Sequence, residues 1–357
     1  AEPSGRAAWR RGCAKTANRA RADRRRTVGA TPAPPSQQVH MCVSLHLSLL
    51  SIVRPLVRTP ATSLLRDRER SPQTSLQLAE ALVPLRRPAP AHWRDRDISW
   101  SNPQGSVLTQ VHDDVWLAER PFFPRLPGLQ GTDVGGKMAV VRLPDGTLWV
   151  HSPVELDPAL RDALAALGPV RHVVTPNTEH QKYASDWLRE YPEATGYSCP
   201  GLRESKPEVG WHRSLSSLLD APSGLTSASA PAEWCSAIEL CWVEDRVPLT
   251  RRLPFFNEVV FFHRPSRSLM CADLWWNYPD YADADADFQV PRSTRLWKWG
   301  MDVVYKPVYN RLMKTDSWEE SYRVIAGWEF ETILPCHGEP VAEDAKKVLA
   351  SHLAMAG

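Results

Sequence analysis

No run of about 18 apolar residues occurs in the 357-residue chain, so no membrane-spanning helix is expected. The longest candidate, Met41 to Val53, is too short and carries His46. The seven cysteines include no Cys-x-x-Cys pair, and the five residues between Cys235 and Cys241 suit no zinc ribbon. Reduced, non-scaffold cysteines in an intracellular compartment are the resulting expectation. Gly-x-Gly-x-x-Gly, a Walker loop and Gly-x-Ser-x-Gly are all missing, which leaves nucleotide-binding and serine-hydrolase folds without an anchor. No internal repeat is visible.

Acidic residues are missing from one long window, between Asp23 and Asp67, which holds Arg24, Arg25, Arg26, Arg54, Arg58 and Arg66 among many Ser, Thr and Pro. The net charge of +2 therefore hides a division. Residues 1–95 carry 17 Lys/Arg against 6 Asp/Glu, and residues 96–357 carry 26 against 35. The expected organisation is a disordered basic leader over 1–95 and a single folded domain over 96–357, which holds 13 of the 15 tryptophans. The leader has the composition of an organellar (chloroplast or mitochondrial) transit peptide. A plain disordered extension and a basic RNA-binding arm are its other two readings. The chain opens on Ala1, and Met41 is its first methionine and a candidate start. The acidic balance of the folded part argues against nucleic acid as its ligand.

From Val115 onward β and α signals alternate. Val115–Arg120 reads as a strand. Lys137–Leu143 and Thr147–Ser152 flank Pro144-Asp145-Gly146 as a hairpin. Asp157-Pro158 opens a helix as N-cap and first residue, and Gly168 ends it. Strands are expected at Val170–Thr175, Ala194–Cys199, Ile238–Val243, Glu258–His263, Ser268–Asp273 and Glu331–Pro335. Helices are expected over 179–190, 291–313, after an Asp316/Glu319 capping box, and over 341–356. The pattern fits an α/β chain with sheets in the middle and helices outside.

Three buried strands run into polar residues: Val173-Val174-Thr175-Pro176-Asn177-Thr178-Glu179-His180, Leu269-Met270-Cys271-Ala272-Asp273, and Ile333-Leu334-Pro335-Cys336-His337-Gly338. Polar groups just past a strand tip are placed to line a site. His180, Asp273 and His337, with Glu179 beside the first, form a donor set suited to one hydrolytic zinc or iron ion with an open position. Each also has a structural reading: a helix-start cap for His180, a backbone acceptor for Asp273, a turn residue for His337 and a solvated first-turn acid for Glu179. Asn177 either positions a water or substrate carbonyl or satisfies its own loop. His151 and Ser152 are adjacent on a strand and point to opposite faces, so they make no nucleophile pair. Asp283, Asp285 and Asp287 imitate half a calcium loop, but Phe288 and Thr294 stand where Gly and Glu are required. Trp275, Trp276 and Tyr278 read as packing first and as a pocket floor second.

In the order of these marks the chain resembles the metallo-β-lactamase fold over about residues 110–350, and within it a branch known as a domain of unknown function. Trp149 to Pro153, Pro176 to His180, and Glu258 to His263 carry the branch resemblance. That branch often has a second histidine after the first, where this chain has Gln181. Active members of the superfamily carry His-x-His-x-Asp-His where this chain has Thr175 to His180, so both leading histidines are replaced. Leu253 to Glu258 contains no middle histidine, while Asp273 and His337 match the bridging aspartate and final histidine. The resemblance implies an αββα sandwich in four layers, with one dismantled metal subsite and one surviving subsite. The implied function is a divergent metal-dependent hydrolase of a small-molecule substrate, with Zn or Fe on His180, Asp273 and His337 and with Glu179 and Asn177 in catalytic roles. The alternative is a catalytically inactive, metal-free relative that binds a ligand or partner. Convergence of the three donor groups to within about 4–5 Å separates the two.

Overall fold

A computed structural model of the chain describes residues 101–102, 105–123, 132–219, 231–248, 254–278 and 290–355. The basic segment 1–95 and the Asp283 to Asp287 run lie outside the described residues.

Alternation along the strands builds the layers. Sheet one contains β1 (Thr109–His112), β2 (Val115–Arg120), β3 (Gly136–Arg142), β4 (Leu148–His151), β5 (Val170–Thr175), β6 (Thr195–Ser198) and β7 (Arg213–Ser214), neighbours in that order. It is antiparallel up to β4 and parallel from β4 to β7. Sheet two contains β8 (Ile238–Val243), β9 (Glu258–His263), β10 (Ser268–Cys271) and β11 (Thr332–Pro335), in the order β11-β10-β9-β8. In β2, Val115 and Leu117 face sheet two, while Trp116 and Ala118 face outward. In β9, Val259 and Phe261 face sheet one, while Val260 and Phe262 face outward. A period of two, buried on both faces, is what a middle sheet layer requires.

Helices cover the outer faces. On sheet one, α1 (Pro158–Leu167) contributes Leu160 and Leu164, and α2 (Ala184–Glu190) contributes Trp187. On sheet two lie Tyr309 and Met313, from the helical stretch that opens with α3 (Arg292–Trp299). They are joined by Trp318 and Ile325 of α4 (Trp318–Gly327) and Leu349 of α5 (Ala345–His352). The result is the αββα sandwich that the resemblance implies. Among the described residues no helix is long and apolar enough to cross a membrane.

Local signals explain most boundaries. The Asp157 carboxylate accepts the Leu160 N–H at 2.9 Å and also holds the buried Arg120 guanidinium at 3.0 Å. Two helix starts differ from expectation. The helix expected from Glu179 starts at Ala184, because the Asn177 side chain takes the N–H groups of Glu179 and His180 and sets up turns instead. The Asp316/Glu319 capping box does not form: Ser317 is the N-cap of α4, and no side chain caps it. The last helix is shorter than 341–356, since Val341 pairs with Ile333 at the edge of β11.

His263 closes β9 in a buried position, with Nδ1 2.7 Å from the Ser266 hydroxyl. Burial pushes its imidazole down to about 4 from 6.5. The unfolded chain therefore binds a proton between about pH 6.5 and pH 4 that the folded chain refuses, and stability falls as pH falls through that window. At pH 5 His263 should cost about 2 kcal/mol relative to pH 7.5. Urea unfolding at both pH values checks this: His263→Gln should reduce the wild-type loss by about that amount, and an unchanged loss contradicts it.

Candidate metal centre

Parallel pairing brings the chemistry together. β10 and β11 run side by side with Cys271 opposite Pro335, so Asp273 and His337 each emerge two residues past the same rung. In sheet one β4 and β5 also run parallel, with His151 opposite Val174. Backbone bonds join the two sheets at this edge, from Val259 N–H to the Pro176 carbonyl (2.8 Å) and from Lys137 N–H to the Cys336 carbonyl (2.7 Å). The chain after β5 is thereby set against the ends of β10 and β11.

His180, Asp273 and His337 are all buried, and one ligand atom from each lies within 4.8 Å of the others. His180 Nε2 is 3.3 Å from Asp273 Oδ2, and His337 Nε2 is 3.4 Å from Oδ1 of the same carboxylate. Ligands about 2.0–2.2 Å from a tetrahedral ion stand roughly 3.4 Å apart, so these spacings suit a shared cation. His180 Nε2 is buried without a hydrogen-bond partner, as expected of a nitrogen shaped to donate a lone pair. Both Nδ1 atoms are held from behind, His337 by the Gly135 carbonyl at 2.6 Å and His180 by the Ser152 hydroxyl at 2.6 Å. The donor set therefore fits a zinc or iron ion.

Asp273 is fixed by its neighbours. Asn177 Nδ2 donates to Asp273 Oδ2 at 2.6 Å and reaches Glu258 Oε2 at 3.3 Å. Glu258 accepts the backbone N–H groups of Ala272 (2.7 Å), Asp273 (2.6 Å) and Leu274 (2.9 Å). Burial raises the Asp273 carboxyl, but the charges of His180 and His337 beside it outweigh this and hold the group well below the usual carboxylate range. Burial, then the Asp273 charge, pushes Glu258 up to about 8 against its three N–H donors.

The other residues singled out in the sequence are placed differently. Glu179 is exposed on the turn and stands outside the three-residue cluster. The Asn177 amide is engaged at both ends, with Oδ1 on the N–H groups of Glu179 and His180. Thr175 accepts the Trp211 indole N–H at 3.0 Å. His151 faces the Cys336 sulfur at 3.8 Å, so it and Ser152 are indeed unpaired with each other. Trp275 packs in the sheet-two outer core, Trp276 bonds Asp302, and Tyr278 lies 6.3 Å from the His337 ring.

Three contributors were missed in the sequence. Phe122 stacks on His180 at 6.1 Å and meets His337 edge-on at 6.0 Å. Asp133 accepts the Phe122 and Gly135 N–H groups and so fixes the carbonyl behind His337. Glu258 had a legible signal, a lone acid heading an otherwise apolar strand. The other two sit in irregular segments without periodicity.

Residues 113–287 match the family model described as a domain of unknown function, DUF4336. No curated protein matches the sequence. Among solved structures, the mono-zinc form of the metallo-β-lactamase FIM-1 from Pseudomonas aeruginosa is 12% identical, at a TM-score of 0.44 over 69% of this chain and 94% of that one. A metallo-β-lactamase from Hirschia baltica is 10% identical, at 0.43 over 69% and 96%. The DIM-1 metallo-β-lactamase exposed to ceftazidime is 12% identical, at 0.43 over 69% and 95%.

Gly338 holds the turn that presents His337. It has φ +84, and a Cβ there would run into the Asn277 carbonyl, which accepts the Glu339 N–H at 2.8 Å. Gly338→Ala should destabilise the fold by about 2 kcal/mol or more, measured by urea unfolding, and an effect under 0.5 kcal/mol contradicts this clamp. Two facing sheets with flanking helices make the chain an αββα sandwich, and its residues 113–287 match the family model described as a domain of unknown function, DUF4336.

Proposed function

We propose that the chain is a metal-dependent hydrolase working with one ion, Zn²⁺ or Fe²⁺, held by His180, Asp273 and His337. The observation that carries this reading is the convergence of two Nε2 atoms on opposite oxygens of one buried carboxylate. When bound, such an ion supplies Lewis-acid polarisation of a carbonyl or phosphoryl oxygen and a water acidified to about pH 7. The chain's own residues supply placement. Asn177 and the backbone around Glu258 hold Asp273 in one orientation. The Gly135 carbonyl directs His337 Nε2 inward. Phe122 lies against both imidazoles and limits water on that side. Asn177 is then a positioning residue. Glu179, exposed on the turn, has no place in this reading as a base. Residues 96–357 form the domain that carries this site, and 1–95 its basic leader.

The second reading, a catalytically inactive protein that binds a small ligand or partner, draws support from Thr175 and Asn177. They stand where the superfamily's leading histidines are expected and are engaged in structural hydrogen bonds. Two-ion chemistry is thereby disfavoured.

Metal analysis of chelator-treated, zinc-reconstituted protein should find about one ion per chain, and a thermal shift should accompany its binding. At a hundredfold excess of Zn²⁺ over its Kd the stabilisation should be about 2.7 kcal/mol, and it should vanish in His337→Ala and Asp273→Asn. A stoichiometry well below one refutes the metal site. One bound ion without turnover across esters, thioesters, amides and phosphodiesters favours the inactive reading.

A further inference from the structure

We propose that the outward face of the helical stretch 292–313 is a docking surface for an anionic lipid bilayer, with the helix lying flat in the headgroup region. The inference goes beyond the metal reading and does not depend on it.

The stretch is one continuous helix. α3 runs into a π turn over Gly300–Tyr305, a short α turn over Lys306–Val308 and a second π turn over Tyr309–Met313. The backbone stays in the right-handed helical region at the junctions Gly300, Lys306 and Tyr309. Its inner face is committed. Thr294 donates to the Asp133 carbonyl at 2.9 Å, and the Trp297 indole N–H meets the Tyr278 hydroxyl at 3.2 Å. Tyr309 and Met313 are buried in the sheet-two outer core. These anchors fix which side the helix turns outward.

That outward side is unlike a solvated one. Arg292, Leu296, Trp299, Val303, Pro307 and Arg311 follow one another at intervals of three or four residues, so they share a face, and all six are exposed. Leu296, Trp299 and Val303 are each more than half exposed. Single exposed apolar residues are ordinary, but a row of them marks an interaction surface. An arginine closes the row at each end.

Charge selects the occupant. Between residues 292 and 314 stand Arg292, Arg295, Lys298, Lys306, Arg311 and Lys314, against Asp302 alone. Asp302 is already bonded to Lys298 at 2.7 Å and to the Trp276 indole at 2.9 Å. Residues 96–357 as a whole are acidic, with 26 Lys/Arg against 35 Asp/Glu. A basic ridge with an apolar crest, on an otherwise acidic domain, complements a surface that is negative outside and apolar just beneath, as an anionic bilayer is. Trp299 in the middle of the row suits the headgroup level. A second copy of the chain fits less well. Whether two such rows are laid parallel or antiparallel, arginine ends meet arginine ends.

Flotation of the full chain with phosphatidylglycerol–phosphatidylcholine vesicles, and with phosphatidylcholine vesicles alone, tests this. The wild type should bind the anionic vesicles at least about tenfold more tightly than the neutral ones. On the anionic vesicles, Leu296→Ser/Val303→Ser should bind at least about tenfold more weakly than the wild type. Arg292→Gln/Arg311→Gln should lose about tenfold as well. Both should keep the wild-type Tm, because the substituted side chains are exposed. The basic segment 1–95 is present in every protein, so binding through it alone would be equal in all of them, and equal affinities overturn the proposal. No binding by the wild type overturns it, and so does equal binding to the two kinds of vesicle. A dimer in solution that Leu296→Ser/Val303→Ser dissociates assigns the face to a second copy and overturns it too. If a double variant does not fold, Trp299→Ser repeats the comparison with one exposed substitution.

Discussion

The Glu258 carboxylate, buried at the head of β9, organises everything at this edge of the molecule. It accepts three consecutive backbone N–H groups, at Ala272, Asp273 and Leu274, and so bends the chain just past the end of β10. Three donors converging on one side chain leave that segment few other conformations, and they set the direction of the Asp273 side chain. Asn177 ties the same carboxylate to the chain after β5, which places His180. Parallel pairing of β10 with β11 then fixes His337. Three residues far apart in sequence are thus located by one buried acid, one amide and one ladder register.

Such a polar network lies in a costly place, at the rim of a core whose inter-sheet layer is Trp149, Val174, Trp234, Phe261 and Met270. Buried polar groups are tolerated when each has its partner, and a half-satisfied network is worse than an apolar one. Here Asn177, Asp273, Glu258 and both Nδ1 atoms are satisfied from within the chain. His180 Nε2 is the exception in the cluster, and it faces the carboxylate. A cation between the imidazoles and Asp273 satisfies this nitrogen without moving any of the surrounding bonds. Satisfaction everywhere but at the point of convergence is the physical basis of the metal reading.

The layers were legible in the sequence because period-two alternation and buried runs report which face a strand turns inward. Strands at Val115–Arg120, Val170–Thr175, Ile238–Val243 and Glu258–His263 coincide with the observed ones. The trio His180, Asp273 and His337 was legible for a related reason, since each follows an apolar strand by a few residues. Side chains bonding across long sequence distances were not legible. Asn177 cancels a helix start that local propensity favours, and Glu258, conspicuous as a lone acid heading an apolar strand, does not reveal its three donors. Gly135 and Asp133 act through irregular backbone, which leaves no periodic trace.

The same bonds explain why Thr175 and Asn177 would not accept histidine by exchange of single residues. Thr175 supplies the acceptor for the buried Trp211 indole, so a histidine there would leave that N–H without its partner. Asn177 satisfies two backbone N–H groups and donates to Asp273 and Glu258, so a histidine there would release the turn that carries His180. Thr175 and Asn177 are structural supports of the segment that carries His180. The His180, Asp273 and His337 cluster is therefore oriented by neighbours that are themselves committed to other bonds.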